Sequence, residues 1–151
     1  MHLIVLGIAV VLLLLFVFGR AAGGGSGPKI DQTALSPYER EINGRQFDSL
    51  VLQHSSVTPV LVDFYAHWCG PCHAFSPVLS ELAKACDGSF LLAKIDFDQN
   101  KALAAECGVT ALPGVVLFRD GKRVDGFDGG RLPHTLRYFL AKNGIAVPDD
   151  F

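Results

Sequence analysis

Hydrophobic positions form one long run at the start of the chain and then several short segments separated by polar and turn residues. The first run, residues 3–18, is apolar throughout apart from Gly7. As an α-helix rising about 1.5 Å per residue, residues 1–19 would span about 28 Å, close to the hydrocarbon thickness of a bilayer. The run has no polar face, so it does not have the pattern of a surface helix in a soluble domain. We therefore predict that residues 1–20 are a transmembrane anchor or a signal sequence.

The residues around this run favour an uncleaved anchor. A cleaved signal sequence begins with basic residues and ends with small residues before the cleavage site. Here only Met1-His2 precede the run, and Arg20 interrupts the small residues that follow it. By this one charge, the positive-inside rule slightly favours a domain on the cytoplasmic face over a periplasmic or extracytoplasmic one. The expected location is thus a membrane, with a single-pass N-terminal anchor.

The rest of the chain divides into a linker, a domain and a tail. Residues 21–37 begin with AAGGGSGP, which is typical of a flexible linker. Residues 38–145 form the predicted globular domain, and residues 146–151 are expected to be a loose C-terminal tail.

Within the domain, helical and strand-like patterns alternate. Apolar residues at spacings of three and four predict helices, and short apolar runs rich in β-branched residues predict buried strands. The predicted helices are residues 45–53, 71–86 (with a kink at Pro77), 100–107 and 132–142; the predicted strands are residues 59–65, 90–97, 115–119 and 122–127. The predicted element order is β-α-β-α-β-α-β-β-α. It includes a first strand, before the helix 45–53, to which the pattern assigns no residues. This alternation predicts an α/β fold whose sheet has parallel members and helices on both faces.

Charge and cysteine content narrow the function classes. The chain has 13 basic and 15 acidic residues and a formal net charge of −2, with no basic block. We therefore expect no nucleic-acid partner. Four cysteines are too few for a small scaffold held together by disulfides, and only Cys69 and Cys72 are close in sequence.

This pair lies in the segment Trp68-Cys69-Gly70-Pro71-Cys72, between the predicted strand 59–65 and the predicted helix 71–86. Free N–H groups and the dipole at a helix N-terminus stabilise a thiolate there. Cys69 comes first and is predicted to be the exposed nucleophile. Cys72 lies one turn further along and can attack a mixed disulfide held on Cys69. Pro71 suits the first helical turn and stiffens the pair.

Two other kinds of site could use the same residues. Cys69, Cys72 and His73 fit the C-x-x-C-H pattern of haem attachment, which would need export and an axial ligand other than methionine, since the only Met is Met1. His67, Cys69, Cys72 and His73 could together hold zinc, although residues so close in sequence rarely converge on one tetrahedral ion. The surrounding strand, turn and helix favour a dithiol over both.

Residues 47–140 resemble the thioredoxin family. The resemblance rests on V-D-F-Y-A-x-W-C-G-P-C at residues 62–72, on Pro77, on A-K-x-D at residues 93–96 and on G-V-T-A-L-P at residues 108–113. The sequences FLLAKIDFDQN and VDGF make this segment similar to the thioredoxin module of tetratricopeptide-bearing thioredoxins, although the tetratricopeptide repeats themselves are not found in this sequence. The resemblance implies a thioredoxin fold, with a central mixed sheet flanked by helices on both faces. It also implies a protein-disulfide reductase that needs no cofactor beyond its own dithiol.

The resemblance assigns roles to residues around the cysteines. Asp63 matches a buried acid that exchanges a proton with Cys72, and Lys94 matches a lysine that modulates this acid. His73 stands where a lysine or arginine is common. It could make thiolate formation more pH-dependent, or it could be an exposed helix residue without that effect. Gly114 stands where the family usually has threonine.

Other matched residues would bind substrate. Pro113 matches a cis-proline that faces the cysteines and lets Leu112 or Ala111 pair with the backbone of an extended substrate. Gly129 matches a glycine that keeps the groove flat, although Gly129-Gly130 could be only a turn. The predicted substrate-binding residues are Trp68, Gly70, Pro71, Leu112, Pro113 and Gly129.

The resemblance also implies that Cys86 and Cys107 lie on different faces of the sheet, too far apart for a bridge. Cys86 is predicted to be half-buried at a helix end. Cys107 is predicted to lie in the core, the alternative being a regulatory thiol. The expected partners are disulfide-containing proteins, an electron donor such as thioredoxin reductase or a membrane thiol relay, and the lipid bilayer. The alternatives are a peptide-binding holdase module, or an exported disulfide isomerase or cytochrome-maturation enzyme.

Overall fold

The computed structural model describes residues 36–151, so the predicted anchor and residues 21–35 of the predicted linker lie outside the described residues. The strands are β1 (Glu39–Ile42), β2 (Val60–Tyr65), β3 (Leu91–Asp96), β4 (Gly114–Arg119) and β5 (Lys122–Asp128). The α-helices are α1 (Gly70–Ala85), α2 (Lys101–Glu106) and α3 (Pro133–Lys142). Three short helical segments join β1 to β2, namely Gly44–Gln46, Asp48–Gln53 and His54–Ser56.

The five strands form one mixed sheet in the order β1-β3-β2-β4-β5. β3 runs parallel to both β1 and β2, whereas β4 is antiparallel to β2 and to β5. β2 therefore lies at the centre of the sheet. A central strand is covered on both faces, which explains why the VLVDFY sequence of β2 is almost entirely apolar. The sheet confirms the predicted α/β thioredoxin fold.

Each face of the sheet has its own hydrophobic core. Side chains alternate along a strand, so Leu61 and Leu92 face one way and Val62 and Ile95 the other. The first core holds the buried side chains of α1 and α3, and the second holds those of the helical segments after β1 and of α2. The helices thus cover both faces, as predicted. Asp63, two residues after Leu61 on β2, points to the same face of the sheet and so faces α1.

Two differences from the predicted elements lie near the start of the domain. β1, whose residues the sequence did not identify, has the polar sequence EREI and pairs with only one strand, at the edge of the sheet. The predicted helix 45–53 is instead two short segments, of 3-10 type over Gly44–Gln46 and of π type over Asp48–Gln53, and a further 3-10 segment follows at His54–Ser56. Asn43 caps the first segment by accepting from Arg45 N, and Asn43 N in turn donates to the side-chain oxygen of Gln46. Phe47 and Val51 nevertheless fill the core, as expected.

The C-terminal tail also differs from expectation. Residues 146–151 were predicted to be loose, but Val147 and Phe151 pack against the core on the α1 and α3 face. Arg137 donates a hydrogen bond of 2.6 Å to the carbonyl oxygen of Asp149 and forms an ion pair with its carboxylate. The apolar side chains of the tail thereby cover apolar surface beside α3.

Cys86 and Cys107 are free thiols, one in each core. Their separation on opposite faces confirms that they form no bridge. Cys107 lies in the core as predicted, whereas Cys86 is only 4% exposed and so is fully rather than half buried. Among residues 36–151, no helix is long and apolar enough to cross a membrane.

Candidate active site

The two closely spaced cysteines form a disulfide where β2 leads into α1. Cys69 is the N-cap residue of α1 in extended conformation, and its sulfur accepts a hydrogen bond from Cys72 N at 3.2 Å. Pro71 lies in the first turn, where its missing N–H costs no helical hydrogen bond. In the reduced protein, a thiolate on Cys69 would therefore be stabilised by the free N–H groups of the helix.

Both cysteines are buried in this oxidised state, Cys69 being 4% and Cys72 2% exposed. The expectation of an exposed Cys69 is therefore wrong for the disulfide form. The reason is packing, since the pair forms a small apolar cluster with Ala66, against which Tyr65 and Leu112 also pack.

The rim beside the pair is open. Gly70 and Pro71 are exposed at the start of α1. Trp68 is 68% exposed, and its ring N–H donates to Asp98 at 2.8 Å, which fixes the indole at the edge of the site. A molecule that approaches the disulfide would meet these residues first.

Asp63 lies fully buried in β2. Its Oδ2 accepts a hydrogen bond from Ser76 Oγ at 2.9 Å, and its Oδ1 has no hydrogen-bond partner among residues 36–151. Burial raises the pKa of Asp63 to about 6, against smaller lowering effects of Ser76 and the charge of Lys94. Cys72 and Ser76 are four residues apart on one face of α1, so the serine that binds the carboxyl group lies one helical turn after Cys72. It can hold or release a proton near neutral pH.

Lys94 is the register partner of Asp63 on β3. Its ammonium group does not bond to that carboxyl group, however: it forms an ion pair of 2.5 Å with Glu39 and donates to Ser80 Oγ at 3.2 Å. Glu39 is only 5% exposed and contributes to raising the pKa of Asp63. Lys94 therefore influences the acid by charge alone, and Glu39 offsets that influence.

Sequence reasoning missed Ser76 and Glu39. Ser76 could have been found from its spacing, since the residue four positions after Cys72 must face the same way from α1. Glu39 could not, because no periodicity had located β1.

The loop before β4 closes the other side of the pair. The Leu112–Pro113 peptide bond is cis, as expected, and Pro113 is buried. Gly129 has φ +80°, a conformation that favours glycine, and its N–H donates to the Pro113 carbonyl oxygen at 2.8 Å. A Cβ atom on Gly114 would lie 2.3 Å from Val109 Cγ1, which explains why no threonine stands there.

The histidines lie beside the pair rather than in it. His73 Nε2 is 2.7 Å from the carbonyl oxygen of His67, and both side chains are exposed. They line a cavity of 330 Å³ that also reaches Cys72, Ser76 and Lys94. Within residues 36–151, no group of three or more histidine, cysteine or acidic side chains is arranged to hold a metal ion.

Comparison with known proteins agrees with this geometry. The family model described as Thioredoxin matches residues 39–142. The chain belongs to the thioredoxin family.

Individual thioredoxins show the extent of the similarity. A probable thioredoxin-2 from Caenorhabditis elegans is 46% identical over 83 residues, which cover 55% of this chain and 56% of that protein. A thioredoxin from Pyropia yezoensis is 44% identical over 84 residues, which cover 56% of this chain and 78% of that protein. The X-ray structure of Fasciola hepatica thioredoxin matches with a TM-score of 0.62 and 36% identity, covering 68% of this chain and 97% of that one. The alignment thus spans only about half of the first relative.

The raised pKa of Asp63 predicts a pH-dependent stability. The folded protein binds this proton more tightly than the unfolded chain, so the stabilisation is complete below pH 3.8 and is lost as the pH rises through about 6. We expect Asp63→Asn, which stays neutral, to be more stable than the wild type above pH 7, by about 3 kcal/mol for a shift of this size. Urea unfolding of the oxidised chain from pH 3.5 to pH 8 measures the difference. If the free energies of unfolding of wild type and Asp63→Asn differ by the same amount at every pH in this range, the raised pKa of Asp63 would be contradicted.

The Glu39–Lys94 pair predicts the effect of a neighbouring charge. Glu39→Gln removes a negative charge near Asp63 and leaves the Lys94 charge uncompensated, so the pKa of Asp63 should fall. The carboxyl carbon resonance of Asp63, followed by NMR against pH, gives its titration midpoint directly. Glu41→Gln is the matched control: Glu41 lies on the same strand but is exposed and accepts from Tyr65. A midpoint that moves equally in both variants, or in neither, would refute the role of the pair.

Proposed function

We propose that the protein reduces disulfide bonds in other proteins through its Cys69–Cys72 pair. The observation that carries this proposal is the position of the disulfide at the N-terminus of α1, where Ser76, one helical turn after Cys72, binds the buried Asp63 carboxyl group. The helix terminus favours the thiolate that attacks, and the carboxyl group can manage the proton of the thiol that resolves.

The reaction needs two exchanges. The Cys69 thiolate attacks one sulfur of the substrate disulfide; a mixed disulfide forms and the other substrate sulfur leaves as a thiolate. The Cys72 thiol then gives its proton to the ionised Asp63 carboxyl group and attacks the Cys69 sulfur. The Cys69–Cys72 bond forms, and the second substrate sulfur leaves and takes up a proton. The substrate gains two electrons and the dithiol loses them.

Substrate would bind along the rim of the pair. Gly70 and Pro71 have no long side chains to obstruct an approaching chain, and Trp68 offers an exposed aromatic face. On the opposite side, the backbone of Leu112, ahead of the buried Pro113, would pair with an extended segment of substrate. Gly129 borders the same loop.

The oxidised pair must be reduced again by a partner. The donor would be a thioredoxin reductase if the domain faces the cytoplasm, or a membrane thiol relay if it faces outward.

The N-terminal segment would tether this domain to a membrane. The support is the run of residues 3–18, which is apolar apart from Gly7. The charge of Arg20 favours the cytoplasmic face.

Replacing each cysteine tests the order of attack. With dithiothreitol as electron source and insulin as substrate, Cys69→Ser should slow insulin reduction at least about a hundredfold because the nucleophile is lost. Cys72→Ser, reduced beforehand and then freed of dithiothreitol, should instead accumulate a covalent mixed disulfide with insulin, visible on a non-reducing gel. Cys86→Ser, a buried free thiol in the core, is the control and should keep the wild-type rate. A variant lacking both Cys69 and Cys72 that retains full cellular function would favour the holdase alternative.

An alkaline phosphatase fusion after Lys29 tests the membrane location. Since this enzyme is active only after export, we expect low phosphatase activity and recovery of the fusion in the membrane fraction. Strong activity would place the domain outside and favour the exported isomerase or cytochrome-maturation alternative. A fusion found entirely in the soluble fraction would rule out the tether.

A further inference from the structure

One oxygen atom of Asp128, at the end of β5, accepts several hydrogen bonds from the loop that touches the disulfide. Asp128 Oδ2 accepts from Thr110 N at 3.1 Å and from Ala111 N at 3.2 Å, and the Thr110 hydroxyl also donates to it. Hydrogen bonds to an ionised carboxylate are stronger than neutral ones. The start of the loop at residues 110–113 is therefore held by a single side chain from another strand.

The other end of this loop is held by the neighbouring residue. Gly129 N donates to the Pro113 carbonyl oxygen at 2.8 Å, and Asp128 is the register partner of Gly114. The loop is thus fixed at one end to Asp128, the last residue of β5, and at the other end to Gly129, which follows that strand. Between these anchors, Leu112 packs against the cluster of Cys69 and Cys72.

This arrangement decides which backbone group of the loop is free. The N–H groups of Thr110 and Ala111 donate to Asp128, and Pro113 has no N–H group. Within residues 36–151, the N–H group of Leu112 has no hydrogen-bond partner. Of the two residues expected to offer an N–H group to substrate, only Leu112 can do so without breaking an existing bond.

We propose that Asp128 is a positioning residue that holds the loop 110–113 so that Leu112 can receive the backbone of a protein substrate. The inference rests on the proposed reduction of protein disulfides and adds to it the residue that shapes the receiving loop. Asp128 does not touch the reacting sulfur atoms. Its loss should therefore weaken the binding of a peptide chain and leave the exchange chemistry of the pair intact.

Two substrates separate these effects. Insulin offers a peptide backbone, whereas hydroxyethyl disulfide has none. The reduced full-length chain, kept in detergent solution, is mixed with either one in a single turnover. The fluorescence of Trp68, the only tryptophan, follows oxidation of the adjacent pair. For insulin, the concentration dependence gives the half-saturating concentration and the limiting rate.

Asp128→Ala should raise the half-saturating concentration of insulin about tenfold, as expected for loss of a charge-assisted contact, with a limiting rate within about twofold of wild type. The rate with hydroxyethyl disulfide should also stay within about twofold. Asp128→Asn keeps an acceptor oxygen without the charge, so it should raise the half-saturating concentration of insulin by less than Asp128→Ala does. The matched control is Asp125→Ala, which removes an acid of the same strand that bonds Asn143 and Lys142, away from the loop.

An unchanged half-saturating concentration of insulin in Asp128→Ala would overturn the proposal. An equal loss of rate with insulin and with hydroxyethyl disulfide would also overturn it, because that result would mean damage to the redox pair. A rise in Asp128→Asn as large as in the alanine variant would also overturn it. If Asp128→Ala does not fold, Thr110→Val removes one donor; a rise of about threefold is expected, and no rise counts against the proposal. A wild-type chain that reduces neither substrate would instead refute the proposed function.

Discussion

A carboxyl group buried at the centre of a five-stranded sheet costs free energy whenever it is ionised, and Asp63 is such a group. The surrounding structure moderates this cost without removing it. Ser76 donates one hydrogen bond to Asp63. Lys94 supplies a positive charge nearby, but its ammonium group is ion-paired with Glu39. The remaining penalty keeps the pKa near neutrality, where a proton can be exchanged with a thiol. A fully paired carboxylate would lose that ability.

The site is assembled where separate elements meet at one end of the sheet. β2 brings Asp63 and leads into the cysteines, α1 begins with them, and the loop before β4 lies across from them. Each contribution comes from the end of a regular element, so the helices and strands can be packed tightly while the approach to the disulfide stays open. The two hydrophobic cores fix the angles between these elements, and hence the geometry of the pair.

Sequence alone predicted the parts of the fold that have a strong period or a distinctive motif. The buried runs of β2 and β3, the helix α1, the hairpin of β4 and β5, and the cysteine pair with its cis-proline all follow from local pattern or from family resemblance. β1 has no apolar pattern, because an edge strand is held by backbone pairing to β3 rather than by its side chains. Glu39 and Asp128 were missed because their roles depend on contacts with residues distant in sequence.

The two remaining thiols, Cys86 and Cys107, differ in reactivity from the redox-active pair. Burial raises the pKa of the Cys86 thiol and raises that of Cys107 to about 11, and each lies within a separate core. Both are therefore almost entirely in the protonated form, which reacts more slowly than a thiolate. Sulfur chemistry in the folded domain is thus confined to a single two-electron couple. A count of its accessible thiols would report the redox state of Cys69 and Cys72 alone.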